Sequence, residues 1–82
     1  MTDLSNSPNP DEDGVDALLR RVGDKVRVAR QKRGLPRRVL SDMSGVSPRY
    51  LAQLEAGEGN ISIGLLQRVA RALNHPIEDF VQ

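Results

Sequence analysis

The apolar residues of this chain recur at intervals of three and four, the spacing of one face of an α-helix. The first series runs from Val15 to Ala29 and is interrupted by Gly23. It predicts either one long helix over residues 14–33 or a short arm followed by a helix from residue 24. No segment alternates between apolar and polar residues over the length of a strand, so the pattern predicts an all-α fold.

Four shorter helices are predicted further along the chain, where apolar residues keep the same period. They lie near residues 36–44 and 48–56, after Ser62, and from Pro76 onward. Residues that end or begin helices separate them, namely Gly34, Gly45, Ser47 and Asn74. The sequence therefore predicts a compact five-helix domain over residues 14–82. The preceding residues 1–13 are acidic and rich in Asn, Ser and Pro, and they are predicted to form a disordered tail.

The connection SGVS, residues 44–47, carries the most specific local signal. Gly45 permits the positive φ that a sharp turn needs, and Val46 is expected to insert between the two helices. Ser47 is suited to cap the third helix, and Pro48 to begin it, because its missing N–H has no helical partner there. Two short helices joined in this way predict a helix-turn-helix unit.

The third helix is predicted to have two unlike faces. A rotation of 100° per residue puts Leu51 and Leu54 on the side that would rest on the core. The opposite side carries Arg49 and Gln53, with Tyr50 and Ala52 on its flanks. A helix of this kind is able to lie in a groove while its back packs against the protein.

Composition excludes several kinds of site. The chain has 82 residues, enough for one small domain, and no cysteine, so disulfides and thiol chemistry are excluded. His75 is the only histidine and cannot form a metal site alone. The loop GEGN, residues 57–60, lacks the Gly-Lys ending of a phosphate-binding loop. We therefore expect no enzyme, no metal and no cofactor, and, without a signal peptide or membrane-spanning run, a cytoplasmic protein.

Charge is distributed unevenly although the chain as a whole carries only +1. Residues 1–19 contain five acids and no base, whereas residues 20–38 contain nine basic residues and one acid, a net charge of +8. A basic cluster of this size is typical of a surface that binds phosphates, although a solvated helix face would look the same.

Residues 23–73 resemble the phage repressor and Cro-like (XRE) family in the segments GDKVRVARQKRGL, SGVSPRYLAQLEAG and NISIGLLQRVARAL. The resemblance implies a five-helix, lambda-repressor-like domain that regulates transcription. It also implies binding to double-stranded operator DNA, usually as a homodimer, with the third helix in the major groove.

The resemblance implies roles for individual residues. Arg49 and Gln53 match positions that contact base edges, and these side chains suit guanine and adenine respectively. Ala52 is expected to meet a thymine methyl group, and Tyr50 a base or a phosphate. Pro48 stands where relatives often have a polar residue that contacts DNA, so direct contact is lost there.

Further positions match phosphate contacts or a structural pair. Arg37 stands where many relatives have a glutamine that binds a phosphate. The other phosphate candidates are Arg30, Arg33, Arg38 and Asn60. Glu55 turns toward the protein, and the family often pairs this residue with an arginine of the first helix, which implies an ion pair between Arg30 and Glu55.

Three alternatives remain open from the sequence. The same fold occurs in antitoxins and coactivator-like adaptors, for which protein binding is central. The segment SPRYLAQLEAGEGNISI resembles the N-terminal domain of benzoyl-CoA-type aromatic catabolism regulators, which would imply a missing C-terminal effector domain. A dimer is expected to use either the last helix, with Ile77, Phe80 and Val81, or the arm at residues 15–22.

Overall fold

The computed structural model describes residues 10–82, and this part of the chain contains five helices and no strand. The helices are α1 (Pro10–Lys32), α2 (Arg37–Ser44), α3 (Pro48–Glu55), α4 (Ile63–Ala72) and α5 (Glu78–Val81). The all-α, five-helix fold expected from the sequence is confirmed. Among these described helices, none is long and apolar enough to cross a membrane.

The first helix is continuous, so Gly23 does not divide it into an arm and a second helix. Gly23 is instead a packing position, because a Cβ placed there would lie 2.4 Å from the carbonyl oxygen of Leu54. α1 thereby passes very close to the end of α3. The helix begins at Pro10, four residues before the expected domain boundary, and residues 1–9 of the expected tail lie outside the described residues.

The ends of the shorter helices follow the chemistry of their terminal residues. The Oγ atoms of Ser47 and Ser62 accept hydrogen bonds from the backbone N–H groups of Tyr50 and Leu65, at 3.1 and 3.3 Å. These bonds satisfy donors that the first turn of a helix leaves unpaired. After α4, Asn74 adopts a left-handed conformation with φ of 60°, which stops the helix.

One hydrophobic core holds the helices together, with α1 packed on α3 and α5, and α2 packed on α3 and α4. Its buried residues are Val22, Val26, Ala29, Leu40, Val46, Leu51, Leu54, Leu66, Val69, Ala70, Leu73 and Phe80. Phe80 is only 2% exposed, so this residue of α5 closes the core and is not available for a dimer surface. Val81 beside it is 40% exposed.

Candidate nucleic-acid interface

The turn between α2 and α3 is built from three consecutive residues. Ser44 Oγ donates to the carbonyl of Leu40 at 2.7 Å and accepts from the N–H of Val46 at 3.2 Å. Gly45 has a φ of 72°, and its N–H bonds to the carbonyl of Ser41. Val46 is 2% exposed and packs into the core. The angle between the two helices is therefore held by hydrogen bonds and by an apolar anchor.

The two faces of α3 differ in burial as the sequence predicts. Leu51, Leu54 and Glu55 are buried. Arg49, Ala52 and Gln53 are exposed. Within residues 14–82, the side chains of Arg49 and Gln53 make no hydrogen bond or ion pair with another residue. Because they are four positions apart, they lie next to each other on the same side of the helix.

Pro48 determines where this exposed face begins. It is the first residue of α3 and follows the capping Ser47, whose φ and ψ of −62° and 149° are extended. Arg49 is therefore the second helical residue and stands at the N-terminal end of the exposed face.

Tyr50 makes a contact inside the protein. Its ring is partly buried against the core, and its hydroxyl oxygen accepts a hydrogen bond from the N–H of Ser62 at 3.0 Å. The side chain thus ties α3 to the residue that caps α4. Tyr50 lies beside the exposed face of α3, but its hydroxyl oxygen already serves as an acceptor within the fold.

Glu55 is buried beside two arginines. Arg30 reaches it with two hydrogen bonds, from Nε to Oε2 at 2.7 Å and from Nη2 to Oε1 at 2.9 Å. The bonds to Glu55 raise the pKa of the Arg30 guanidinium above its ordinary value, although burial acts in the opposite direction. Nη1 of Arg30 donates to the carbonyl of Leu35 at 2.8 Å. All three nitrogens of Arg30 are thus engaged in the protein.

Arg37 is the second arginine on the same carboxylate. Its Nε donates to Oε1 of Glu55 at 3.1 Å, while the side chain remains 46% exposed. Arg37 is the first residue of α2, so the contact joins the start of α2 to the end of α3. The bond uses only Nε, and the side chain still has four N–H donors on its two terminal nitrogens.

The remaining phosphate candidates do not lie together. Arg38 and Asn60 are exposed, at the start of α2 and in the loop before α4. Arg33 donates to the carbonyl of Ala72 at 2.9 Å, at the C-terminal end of α4. α4 has ten residues, so its C-terminal end lies about 15 Å from its N-terminal end, which Asn60 precedes. The structure therefore separates Arg33 from Asn60.

Two contacts of this region have no signal in the local sequence. The sequence around Tyr50 does not indicate its hydrogen bond to Ser62. Arg37 is predicted from the sequence to contact a phosphate, and its bond to Glu55 is not predicted. Both involve residues more than ten positions apart, which periodicity and capping rules do not address. The charge of Glu55 is the sequence feature that could have indicated the Arg37 contact, because a buried carboxylate requires hydrogen-bond donors around it.

Comparisons with known proteins agree with this geometry. A helix-turn-helix family model, HTH_3, matches residues 26–80. No curated protein sequence matches the chain. The narrower resemblance to benzoyl-CoA-type regulators finds no support in these comparisons.

Solved structures of helix-turn-helix proteins are similar to the chain. The restriction-modification controller protein C.AhdI from Aeromonas hydrophila is 28% identical, with a TM-score of 0.74, and the match covers 78% of this chain and 97% of that one. An HTH_3 family transcriptional regulator from Vibrio cholerae is 26% identical, with a TM-score of 0.76, over 80% of this chain and 37% of its own length.

The clp gene regulator ClgR from Corynebacterium glutamicum is 36% identical, with a TM-score of 0.72, over 77% of this chain and 67% of that one. The family model covers well over half of the chain, including both helices of the turn and the core around them. The chain belongs to the HTH_3 helix-turn-helix family, the XRE or Cro/C1 type of DNA-binding transcription regulators.

Proposed function

We propose that the chain is a sequence-specific transcriptional regulator that places α3 in the major groove of double-stranded DNA. We further propose that it binds as a dimer to a palindromic operator, whose half-sites are separated by about 34 Å or a multiple of that distance. The relatives named above are described as a controller protein, a transcriptional regulator and a gene regulator, which supports a regulatory role.

The exposed face of α3 is the observation that carries this proposal. Arg49 and Gln53 have no partner among the described side chains, whereas the opposite face of the same helix is buried. Long polar side chains on a well-capped helix suit contacts with base edges, because capping by Ser47 and burial of the opposite face fix the position of the helix backbone before DNA binds.

Each side chain of this face suits a particular base. Arg49 suits O6 and N7 of guanine, and Gln53 suits N6 and N7 of adenine. A good bidentate contact of either kind contributes about 1–3 kcal/mol of discrimination against the wrong base. Ala52 is small and exposed on the flank of this face, where it could contact a thymine methyl group. We assign Tyr50 mainly to holding α3 against α4, because its hydroxyl oxygen bonds to Ser62.

We assign phosphate contacts to residues with free hydrogen-bond donors at the start of α2 and in the loop before α4. Arg37 and Arg38 begin α2, and Asn60 precedes α4, together with the backbone N–H groups of residues 57–61. We assign Arg30 to the protein interior, because it is 9% exposed and all three of its nitrogens are bonded. We assign Arg33 to holding the C-terminal end of α4, because it donates a hydrogen bond to the carbonyl of Ala72, the last residue of that helix.

Selection from a pool of random DNA duplexes tests the proposal. The wild type should enrich one palindromic motif, Arg49→Ala should lose preference at a guanine, and Gln53→Ala should lose preference at an adenine. Gln67→Ala is the matched control, because Gln67 is an exposed glutamine on α4. Enrichment unchanged by both α3 variants would move base contacts elsewhere. No enrichment even at low salt would contradict the proposal and favour an adaptor or antitoxin.

A further inference from the structure

A groove of about 330 Å³ lies between the C-terminal half of α1 and the segment that ends in α5, and we call it the α1–α5 groove. Its apolar surface comes from Val28 and Ala29 of α1 and from Phe80 of α5. Val28 is 42% exposed, whereas Ala29 and Phe80 are buried, so Val28 is the apolar side chain that the groove leaves in contact with water. The volume lies at the lower end of the range for small-molecule sites, about 300–1,000 Å³.

Three cationic side chains border this apolar surface, namely those of Lys25, Lys32 and Arg33. At 100° per residue, Lys25, Ala29 and Lys32 lie on one side of α1. The two lysines are about 10 Å apart along the helix axis, with Ala29 between them. Their methylene stems add apolar surface, while their charged ends stay in water. The α1–α5 groove therefore has an apolar middle and a cation at each end.

The two acids beside the groove already have partners. Asp24 Oδ1 lies 2.9 Å from Nη2 of Arg27, and Asp79 Oδ2 lies 2.9 Å from Nδ1 of His75. Among residues 14–82, no ion pair joins either carboxylate to one of the three cations. The positive charge of the groove therefore remains available to a ligand.

Hydrogen-bond donors are available at one end of the groove. Arg33 uses Nη1 for the carbonyl of Ala72 at 2.9 Å, which leaves N–H donors on its other two nitrogens. Lys32 is exposed and forms no hydrogen bond or ion pair within residues 14–82. At the other end, Lys25 donates to the backbone carbonyl of Gln82. The end at Lys32 and Arg33 is therefore the one that suits a negatively charged group.

We propose that the α1–α5 groove is a binding site for a small organic anion with an apolar body. The carboxylate of the ligand binds Lys32 and Arg33, because bonds from charged donors to a carboxylate are stronger than bonds between neutral groups. Its apolar chain lies along Val28 toward Lys25, so that apolar surface of both molecules leaves water. A bare inorganic anion would leave Val28 exposed, and an organic cation would meet like charge.

The groove is separate from the proposed DNA-binding surface. None of its lining residues belongs to α2 or α3. Gly23 and Arg30, which contact the end of α3, lie on the side of α1 opposite Lys32. The inference therefore does not rest on the proposed function, and its test needs no DNA.

Titration of the isotope-labelled full chain with octanoate, followed by nuclear magnetic resonance, tests the site. Octanoate should saturate one site with a dissociation constant below about 1 mM and shift the amide signals of Val28, Ala29 and Phe80. Acetate lacks the apolar chain and octylammonium carries the opposite charge, so each should bind at least about tenfold more weakly. Equal affinity for octanoate and octylammonium, or no saturation by octanoate, overturns the proposal.

A second groove of similar size provides an internal control. It lies between the N-terminal half of α1, the loop before α4 and the end of α5, with a volume of about 410 Å³ and no charged residue in its lining. Octanoate should leave the amide signals of Leu18 and Ile61, which line this second groove, unshifted, because it offers the carboxylate no counter-charge. Larger shifts there than at Val28 would show that apolar surface alone attracts the ligand, and would overturn the proposal.

Two substitutions test the assigned contacts. Lys32→Gln should raise the dissociation constant for octanoate about fivefold, because one cation is lost. Val28→Glu should raise it at least about tenfold, because the new carboxylate competes for Lys32 four residues along the helix. Arg21→Gln and Val15→Glu are the matched controls, since both residues are exposed on α1 outside this groove. Circular dichroism should show every variant folded, and wild-type affinity in either Lys32→Gln or Val28→Glu overturns the proposal.

Discussion

Arg30 and Glu55 form a buried, two-point ion pair between α1 and α3, with N···O distances of 2.7 and 2.9 Å. The side chains are 11% and 1% exposed, so water screens their attraction poorly. The pair joins the first helix to the end of the helix that carries Arg49 and Gln53. The pair therefore helps to set the position of α3, the helix proposed to enter the major groove, on the core.

Replacing Glu55 should mainly reduce stability. Glu55→Ala leaves Arg30 buried without a counter-charge, and breaking a buried pair in this way costs about 3–5 kcal/mol of unfolding free energy. For a domain of this size, the melting temperature should fall by more than about 10 °C in a thermal melt. Glu58→Ala is the control, because Glu58 is an exposed acid just beyond α3. An equal fall in both variants would contradict the structural role of Glu55.

The effect of Glu55 on stability should persist at alkaline pH. Hydrogen bonds to Glu55 raise the pKa of Arg30 in the folded state. A raised pKa contributes stability that is complete below the unfolded pKa and disappears only above the folded pKa. Since arginine ordinarily titrates above about pH 12, the melting difference between wild type and Glu55→Ala should stay constant from about pH 7 to about pH 10. A difference that shrinks across this range would count against the pair.

Arg37 binds the same carboxylate but should affect DNA binding more than stability. Its side chain is 46% exposed, and Arg37→Gln leaves Glu55 paired with Arg30, so we expect a loss within about 1 kcal/mol of unfolding free energy. If Arg37 contacts one phosphate, the slope of log affinity against log salt should become shallower by about 0.9. A DNA titration at several salt concentrations measures this slope. Arg71→Gln, an exposed arginine on α4, should leave it unchanged.

Local signals account for most of the fold. Gly45, Ser47 and Pro48 act on backbone atoms within a few residues of themselves, so the turn and the start of α3 follow from adjacent sequence alone. Asn74 ends its helix for the same kind of reason. The four-residue α5 is too short for periodicity to separate its faces, and only the structure distinguishes buried Phe80 from exposed Val81.

Contacts between distant residues account for what the sequence did not predict. Gly23 resembles a helix break because glycine is a poor helix former, yet it is required by the backbone of Leu54 far along the chain. The bond between Arg37 and Glu55 spans 18 positions and depends on how three helices pack. Such contacts follow from the tertiary arrangement, which the local pattern does not contain.

Tyr50 offers a test of whether a flanking residue contacts bases. Tyr50→Phe removes the oxygen that accepts the N–H of Ser62 while keeping the ring in the core. We expect a loss of about 1 kcal/mol of unfolding free energy, measured by denaturant titration, because one hydrogen bond is lost. Base preferences in duplex selection should be the same as in the wild type. A changed preference at any base would assign Tyr50 to base contact after all.

Gly23 and Gly14 belong to the same helix, α1, but have different surroundings. Gly23→Ala would place a methyl carbon 2.4 and 2.8 Å from the carbonyl oxygens of Leu54 and Glu55, which are backbone atoms and cannot move aside alone. The gain in helix propensity, up to about 1 kcal/mol, should be outweighed by about 1–3 kcal/mol of overpacking. Gly14→Ala meets nothing within 4 Å, so it should raise the melting temperature slightly. If both variants were more stable than the wild type, the close approach of α1 to α3 would be wrong.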